Sequence, residues 1–276
     1  MNQLSSTTIS AKSAEARTPP LDDFLSLQLY SLRGLGGIEA QLDAAAKAGF
    51  RLVETAGGQL ADPKHLRSEL DARSLAAPTG HVGIVDLRDS PQRVADAAAE
   101  VGIRQLFMPA YPPAERGRTA ASWRRAGEEL GNIAAFFIGQ NIGLGYHNHF
   151  WELDILDDGR TALESFFDGA KGSPLLWQAD VAWLARAGVD PIAWMDRYAG
   201  LLASAHVKDQ APTSMNTDED GWTDVGAGVL DWDELWTAAR NGGAEMMVVE
   251  HDNPKDPAGF AVRSHAFLVE LNRRVS

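Results

Sequence analysis

Ile142-Gly143-Leu144-Gly145-Tyr146-His147-Asn148-His149 begins as an apolar run and closes on two imidazoles. The same design returns three times downstream. Leu175-Leu176-Trp177 leads into Gln178-Ala179-Asp180. Residues 201–205 lead into His206-Val207-Lys208-Asp209, and Met246-Met247-Val248-Val249 into Glu250-His251. Each run reads as a buried strand ending in a metal-ligand or acid–base side chain. Successive ends lie roughly 25 to 45 residues apart, about one strand-plus-helix unit. In a parallel barrel all strand C-termini open on one face, so such groups converge there. Carboxylates and imidazoles gathered at one rim suit a divalent ion.

The same alternation extends upstream. Strands read at residues 25–30, 51–54, 75–81 and 104–108, with helices at 37–48, 63–73, 90–101 and 120–140. Ser90 stands at an N-cap position, with Pro91 at the first helical position. Later helices read at 161–170, 191–198, 232–240 and 257–274. Eight strands alternating with eight helices predict a single α/β domain, a (β/α)8 TIM barrel. No Gly-x-Gly-x-x-Gly follows the first strand, which speaks against a doubly wound sheet. The barrel is expected over residues 22–276, after a flexible tail over residues 1–21 that is rich in Ser, Thr and Ala. The one long connection, residues 210–230, follows the seventh strand and carries Asp218, Asp220 and Trp222, as a substrate rim or a mobile surface loop.

Bulk properties narrow the function. The net charge of −13 argues against nucleic acid or an anionic membrane as partner. The absence of Cys excludes disulfides, thiolate nucleophiles and cysteine metal sites. No apolar run is long enough to span a bilayer, and the first residues lack the apolar core of a secretory signal. A cytoplasmic location is the expectation.

His147 and His149 are two apart on a strand and share a side. Asp180, His206 and Glu250 end the next three strands. Lys208 shares the face of His206 and could steady an oxyanion or a phosphate, or merely pair with Asp209. Glu152, three past His149, could orient an imidazole, contact substrate or be solvated. Glu54 and His81 end the second and third strands; they could bind substrate hydroxyls or form a buried pair with Arg33 or a backbone group. Trp183 could wall the pocket as a flat face for a sugar, or pack in the core. His65 and His265 fall on helices and are expected to be exposed.

Taken together, Gln28-Leu29-Tyr30-Ser31-Leu32-Arg33, Val53-Glu54, Gly80-His81-Val82, Tyr146-His147-Asn148-His149 with Glu152, Asp180-x-x-Trp183, His206-x-Lys208-Asp209, Gly226-x-Gly228 and Val249-Glu250 resemble the sugar phosphate isomerase/epimerase family of xylose-isomerase-like barrels. The resemblance runs from about residue 24 to 273. It implies one divalent ion held by His147, Asp180, His206 and Glu250, with His149 able to replace His147. Many members place Glu where His147 stands, and their epimerases use two opposed glutamates. This chain keeps only Glu250 of that pair. The Tyr-His-Asn-His variant is similar to that of inosose dehydratases and of lyases of 3-keto-glycosides.

The reaction expected is isomerisation or epimerisation of a sugar or keto-sugar by proton removal next to a carbonyl, through a metal-bound enediolate. Glu250 and His149 would move the protons and Lys208 would stabilise charge. Glu54, His81, Glu152 and Trp183 would bind substrate. Mixed nitrogen and oxygen ligands favour Mn2+, Co2+, Zn2+ or Fe2+ over Mg2+. The alternatives are a metal-dependent lyase or dehydratase acting on a 3-keto-glycoside or inosose, and a barrel that binds sugar without turning it over. The partner is a small carbohydrate, with homo-oligomerisation open.

Overall fold

The structure, a computed structural model, describes residues 19–275. The tail expected over residues 1–21 falls, up to residue 18, outside them. Eight parallel strands close a barrel: β1 (Leu25–Gln28), β2 (Leu52–Thr55), β3 (Ala76–His81), β4 (Gln105–Met108), β5 (Gly143–His147), β6 (Leu176–Asp180), β7 (Leu202–Val207) and β10 (Met246–Val249). β1 lies between β10 and β2, so first and last strands seal the ring. The remaining strands, β8 (Asp209–Gln210) and β9 (Trp222–Thr223), form a two-residue antiparallel ribbon inside the long connection.

The helices between strands are α1 (Ile38–Ala48), α2 (Pro63–Ala72), α3 (Ile84–Asp89), α4 (Pro91–Val101), α5 (Ala120–Ile138), α6 (Ala162–Gly169), α7 (Val181–Arg186), α8 (Pro191–Arg197), α9 (Trp232–Asn241) and α10 (Pro257–Val275). Their starts carry the expected chemistry. Thr161 and Glu164 form a capping box at α6, and Asp231 accepts two backbone N–H bonds at α9. α5 and α6 approach closely because Gly127 and Gly169 face each other's backbone. A Cβ at either would sit 1.9 Å from a carbonyl oxygen of the opposite helix.

Three details differ from the expectation. β1 stops at Gln28 rather than Tyr30, because the Gln28 side chain accepts from Tyr30 N and starts a 3-10 turn over Leu29–Leu35. Helices α3 and α7 were not expected; at six residues each they are too short to show a period. Ser90 stands at the N-cap of α4 without a side-chain cap bond, and its own N–H ends α3 on Asp86 O.

Strand alternation sends one parity into the lumen. Ser26 and Gln28, Thr79 and His81, Gln178 and Asp180, and Ser204 and His206 are all buried there with Glu54 and His147. The outward parity, such as Leu27, Ala179, Ala205 and Val207, packs under the helices. The barrel therefore has an apolar shell and a polar interior near its C-terminal mouth. A register irregularity between Trp177 and Gln178 brings Gln178 opposite Ser204 and Asp180 opposite His206.

Candidate metal centre and active site

At the mouth, ligand atoms of His147, Asp180, His206 and Glu250 all lie within 4.8 Å of one another. Each of the two rings is fixed by an outer partner. His147 Nδ1 is 3.0 Å from Gln178 Oε1, while its Nε2 faces Asp180 Oδ2 at 3.8 Å. His206 Nε2 is 2.8 Å from Glu54 Oε1, while its Nδ1 is 2.9 Å from Glu250 Oε2. Asp180 divides its oxygens. Oδ1 caps α7 by accepting from Trp183 N, and Oδ2 is buried with no hydrogen bond. Lys208 Nζ stands 3.0 Å from that oxygen but not in hydrogen-bonding geometry.

This arrangement fits a divalent ion. A buried carboxylate oxygen without a hydrogen bond is costly, and a divalent ion among two carboxylates and two imidazoles would add to the charge that Lys208 supplies there. Outer partners on the far nitrogen of each imidazole are the usual company of metal-ligating histidines. Of the two rings left open by the sequence, His147 sits in this cluster. His149 stands 5.0 Å from it, ring centre to ring centre, stacked on Trp151 with its Nδ1 buried and unpartnered. His81 lies beside the cluster, its ring parallel to that of His206.

The electrostatics follow from burial and these pairings. Burial alone would raise Glu54, but His81 and His206 hold it well below the usual carboxylate range. Burial alone would lower His206, yet Glu250 and Glu54 push it up to about 10. Glu250 is buried too, and Lys208 and His206 hold it well below its ordinary value. His147 is driven down by burial and by the neighbouring imidazoles. His149 falls to about 3 through burial and the Lys208 charge, so it is neutral near pH 7.

Lys208 does not pair with Asp209. It is fully buried, 2.8 Å from Glu250 Oε2 and 3.0 Å from Asp252 Oδ2, beneath the rings of Trp183 and Trp222. Asp209 instead accepts backbone N–H bonds from Gln210, Gly226, Gly228 and Leu230, which ties the long connection down. That connection is a rim: Asp220 and Trp222 line the mouth. Glu54 does not pair with Arg33. Arg33 donates to backbone oxygens of Tyr30 and Asp252 near the surface.

A cavity of about 590 Å³ opens above the cluster, lined by Tyr30, His81, His147, His149, Trp183, Asp220, Trp222, Glu250 and Asp252 among others. Trp183 and His81 both line this cavity. Glu54 and Glu152 stand behind the wall, so their expected contact with substrate is not what the geometry provides. A larger groove of about 740 Å³ lies outside the barrel over Leu87, Arg88 and Phe136, remote from every imidazole. An exterior group of Glu39, His65 and Glu69 is largely exposed, and Arg73 already pairs with Glu69. His265, expected to be exposed, packs half-buried against Phe50.

Glu152 is fully buried. It accepts from Tyr146 Oη at 2.5 Å and from His149 N at 2.9 Å. Burial raises it to about 7 against an ordinary 4.5, with those hydrogen bonds pulling the other way. The folded protein therefore keeps this proton to higher pH than the unfolded chain. The associated stability is fully present below pH 4.5 and lost as pH rises through 7. At about 1.4 kcal/mol per unit this is roughly 3 to 4 kcal/mol. In Glu152→Gln the amide oxygen still accepts from His149 N, the NH2 donates to Tyr146 Oη in place of accepting from it, and the titration is removed. Its stability relative to the parent should rise by that order between pH 4 and pH 8 in urea melts. A pH-independent difference would contradict this.

Three groups in the site carried a sequence signal that went unread. Gln178 is two before Asp180 on β6, so parity places it on the same side, and Asp252 follows Glu250 by two in the turn after β10. Asp252 is raised to about 6, by burial first. Asn148 Oδ1 accepts from Trp177 Nε1 and Asp180 N, tying the ends of β5 and β6 together.

The family model for the xylose isomerase-like TIM barrel matches residues 42–271. The chain belongs to that family. Among solved structures, a sugar phosphate isomerase/epimerase from Parabacteroides distasonis ATCC 8503 is 19% identical, with a TM-score of 0.75 over 94% of this chain and 96% of that one. The probable 3-DHS dehydratase AsbF of Bacillus anthracis is 13% identical, with a TM-score of 0.67 over 89% and 98%. An L-ribulose 3-epimerase is 12% identical, with a TM-score of 0.64 over 91% and 95%. At such identities these likenesses show the fold. No curated protein matches the chain. Among the described residues no helix is long and apolar enough to cross a membrane.

Proposed function

We propose that this protein is a divalent-metal-dependent isomerase or epimerase of an uncharged sugar or keto-sugar, acting by proton removal next to a carbonyl. The observation that carries the reading is Asp180 Oδ2, buried without a hydrogen bond within a cluster of His147, His206 and Glu250 beneath an aromatic cavity. Those four side chains would hold the ion. An ion bound there would supply Lewis-acid polarisation of a carbonyl and acidify the adjacent C–H.

The chain's own groups supply the rest. Glu250 takes the proton; both its contacts to His206 and Lys208 fall on Oε2. His149, neutral and on the cavity wall, exchanges a proton with the opposite side of the substrate. Lys208 balances Glu250, Asp180 and Asp252 from behind, so it sets the charge of the site rather than touching substrate.

The wall decides the substrate's charge. Among the described residues it carries the carboxylates of Asp220, Glu250 and Asp252 and no Lys or Arg, Lys208 lying behind it. The nearest guanidiniums stack on aromatic rings: Arg33 on Tyr30, Arg116 on Trp151 and Arg186 on Trp222. A phosphate would meet like charge, whereas sugar hydroxyls suit carboxylates and aromatic faces.

Elimination is the second reading, favoured by His147 standing where many relatives carry the second glutamate of an epimerase pair, with the neutral His149 beside it. Incubating the metal-replete protein in D2O with free ketoses and 3-keto-glycosides separates the cases. Deuterium on carbon with an isomeric product supports the first; loss of water or an aglycone supports the second. No exchange into any of them would leave a sugar-binding barrel and refute catalysis by proton abstraction.

A further inference from the structure

Glu54, beneath the cluster, has four polar side-chain contacts within 3.1 Å. Its Oε1 accepts from Gln28 Nε2 at 2.7 Å and from His206 Nε2 at 2.8 Å, and lies 3.1 Å from His81 Nε2. Its Oε2 accepts from Gln178 Nε2 at 2.7 Å. Both carboxylate oxygens are fully buried, so only N–H donors can face them. Two consequences follow across the barrel. Nε2 of His206 is thereby held as a donor to Glu54, and Nδ1, which faces Glu250 Oε2 at 2.9 Å, is the nitrogen an ion would take in place of its proton. Gln178 must also turn its NH2 to Glu54, so its Oε1 faces outward. That oxygen meets His147 Nδ1 at 3.0 Å and His81 Nε2 at 2.7 Å. The His147 proton is thereby fixed on Nδ1, and its bare Nε2 faces Asp180.

We propose that Glu54 is a positioning residue which sets the ring nitrogen that both His147 and His206 present to the ion, the first through Gln178 and the second directly. This rests on the metal site proposed above. It replaces the substrate-binding role expected of Glu54, which does not reach the cavity.

The chain of donors makes a sharp test. In Glu54→Gln the new amide keeps its oxygen toward Gln28 and His206, and turns NH2 toward the NH2 of Gln178. Two facing donors cannot stand, so Gln178 reverses. His147 Nδ1 then meets a donor, and its proton moves to Nε2, into the place of the ion. The double variant Glu54→Gln/Gln178→Glu undoes this. The carboxylate it introduces at position 178 accepts both from the amide at position 54 and from the His147 ring. Zn2+ affinity is measured by competition with a chromophoric chelator. Ring protonation is read by 15N-histidine NMR, with and without Zn2+.

Zn2+ binding should weaken roughly 10- to 100-fold in Glu54→Gln, the range typical of outer partners of metal ligands. His147 should change from Nδ1–H to Nε2–H, and the double variant should recover both. Unchanged affinity and ring pattern in Glu54→Gln, or no recovery in the double variant, would overturn the proposal. If Glu54→Gln does not fold, Gln178→Met decides. It should release the His147 pattern and spare that of His206, and an unchanged His147 counts against the idea. A parent protein that binds no Zn2+ sinks the metal site itself. The ring patterns of the parent and its variants then judge Glu54 alone.

Discussion

Asp180→Asn is expected to lose the ion while keeping the fold. The asparagine side-chain oxygen still accepts from Trp183 N and still caps α7, so the helix start is preserved. What is lost is the charge on the oxygen that has no hydrogen bond in the present arrangement. Removing it leaves Glu250 as the one carboxylate in the cluster, facing Lys208 and His206. Glu250→Gln removes the other and leaves Asp180 alone. In each case the loss of affinity should exceed the roughly 10- to 100-fold typical of an outer partner. Turnover should fall with it, because polarisation of the carbonyl depends on the ion. Elemental analysis of the two variants and the parent, after equal exposure to Mn2+, Co2+ and Zn2+, reads the stoichiometry. Full occupancy in both variants would refute the four-residue site.

Most of this centre could be read from strand ends because a parallel barrel turns chain periodicity into convergence. Asp180, His206 and Glu250 needed only an apolar run and a final ligand-type residue to be placed at one mouth. Partner choice was harder, because partners depend on closure and register. Lys208 precedes Asp209 in sequence, yet its ammonium meets Asp180 and Asp252 on neighbouring strand ends. Glu54 looked like a rim residue because it ends β2. Its contacts with Gln178 and His206 cross the lumen, which no local pattern encodes. Gln178 owes its place partly to the irregularity beside Trp177, a one-residue effect that periodicity does not forecast. Burial misled in the same way at Glu152, which follows a surface-like Phe150-Trp151 turn but is closed over completely. The short helices α3 and α7 escaped for want of length, and α7 is the more consequential. Its cap is the reason that only one oxygen of Asp180 faces the cluster.

His149→Ala should retain the ion and lose most turnover, by about 10²-fold or more for a group that moves a proton in the transition state. His149 is outside the group of four whose ligand atoms crowd together, and its Nδ1 is buried without a partner. Its imidazole is held by stacking on Trp151, itself covered by the Arg116 guanidinium, and its backbone N–H is held by Glu152. So much support for a ring that makes no side-chain hydrogen bond is typical of a group aimed at substrate. Because burial and Lys208 keep the ring neutral, it can both donate and accept a hydrogen bond at neutral pH. Truncation also opens space beside Trp183 and exposes the Trp151 face, so His149→Phe serves as the control that keeps the stacking. Both variants should bind Zn2+ like the parent and fail in turnover alike. If alanine loses the ion as well, His149 belongs to the ligand set in place of His147. If phenylalanine restores turnover on an identified substrate, the ring is a packing element and the assignment of proton transfer to His149 fails.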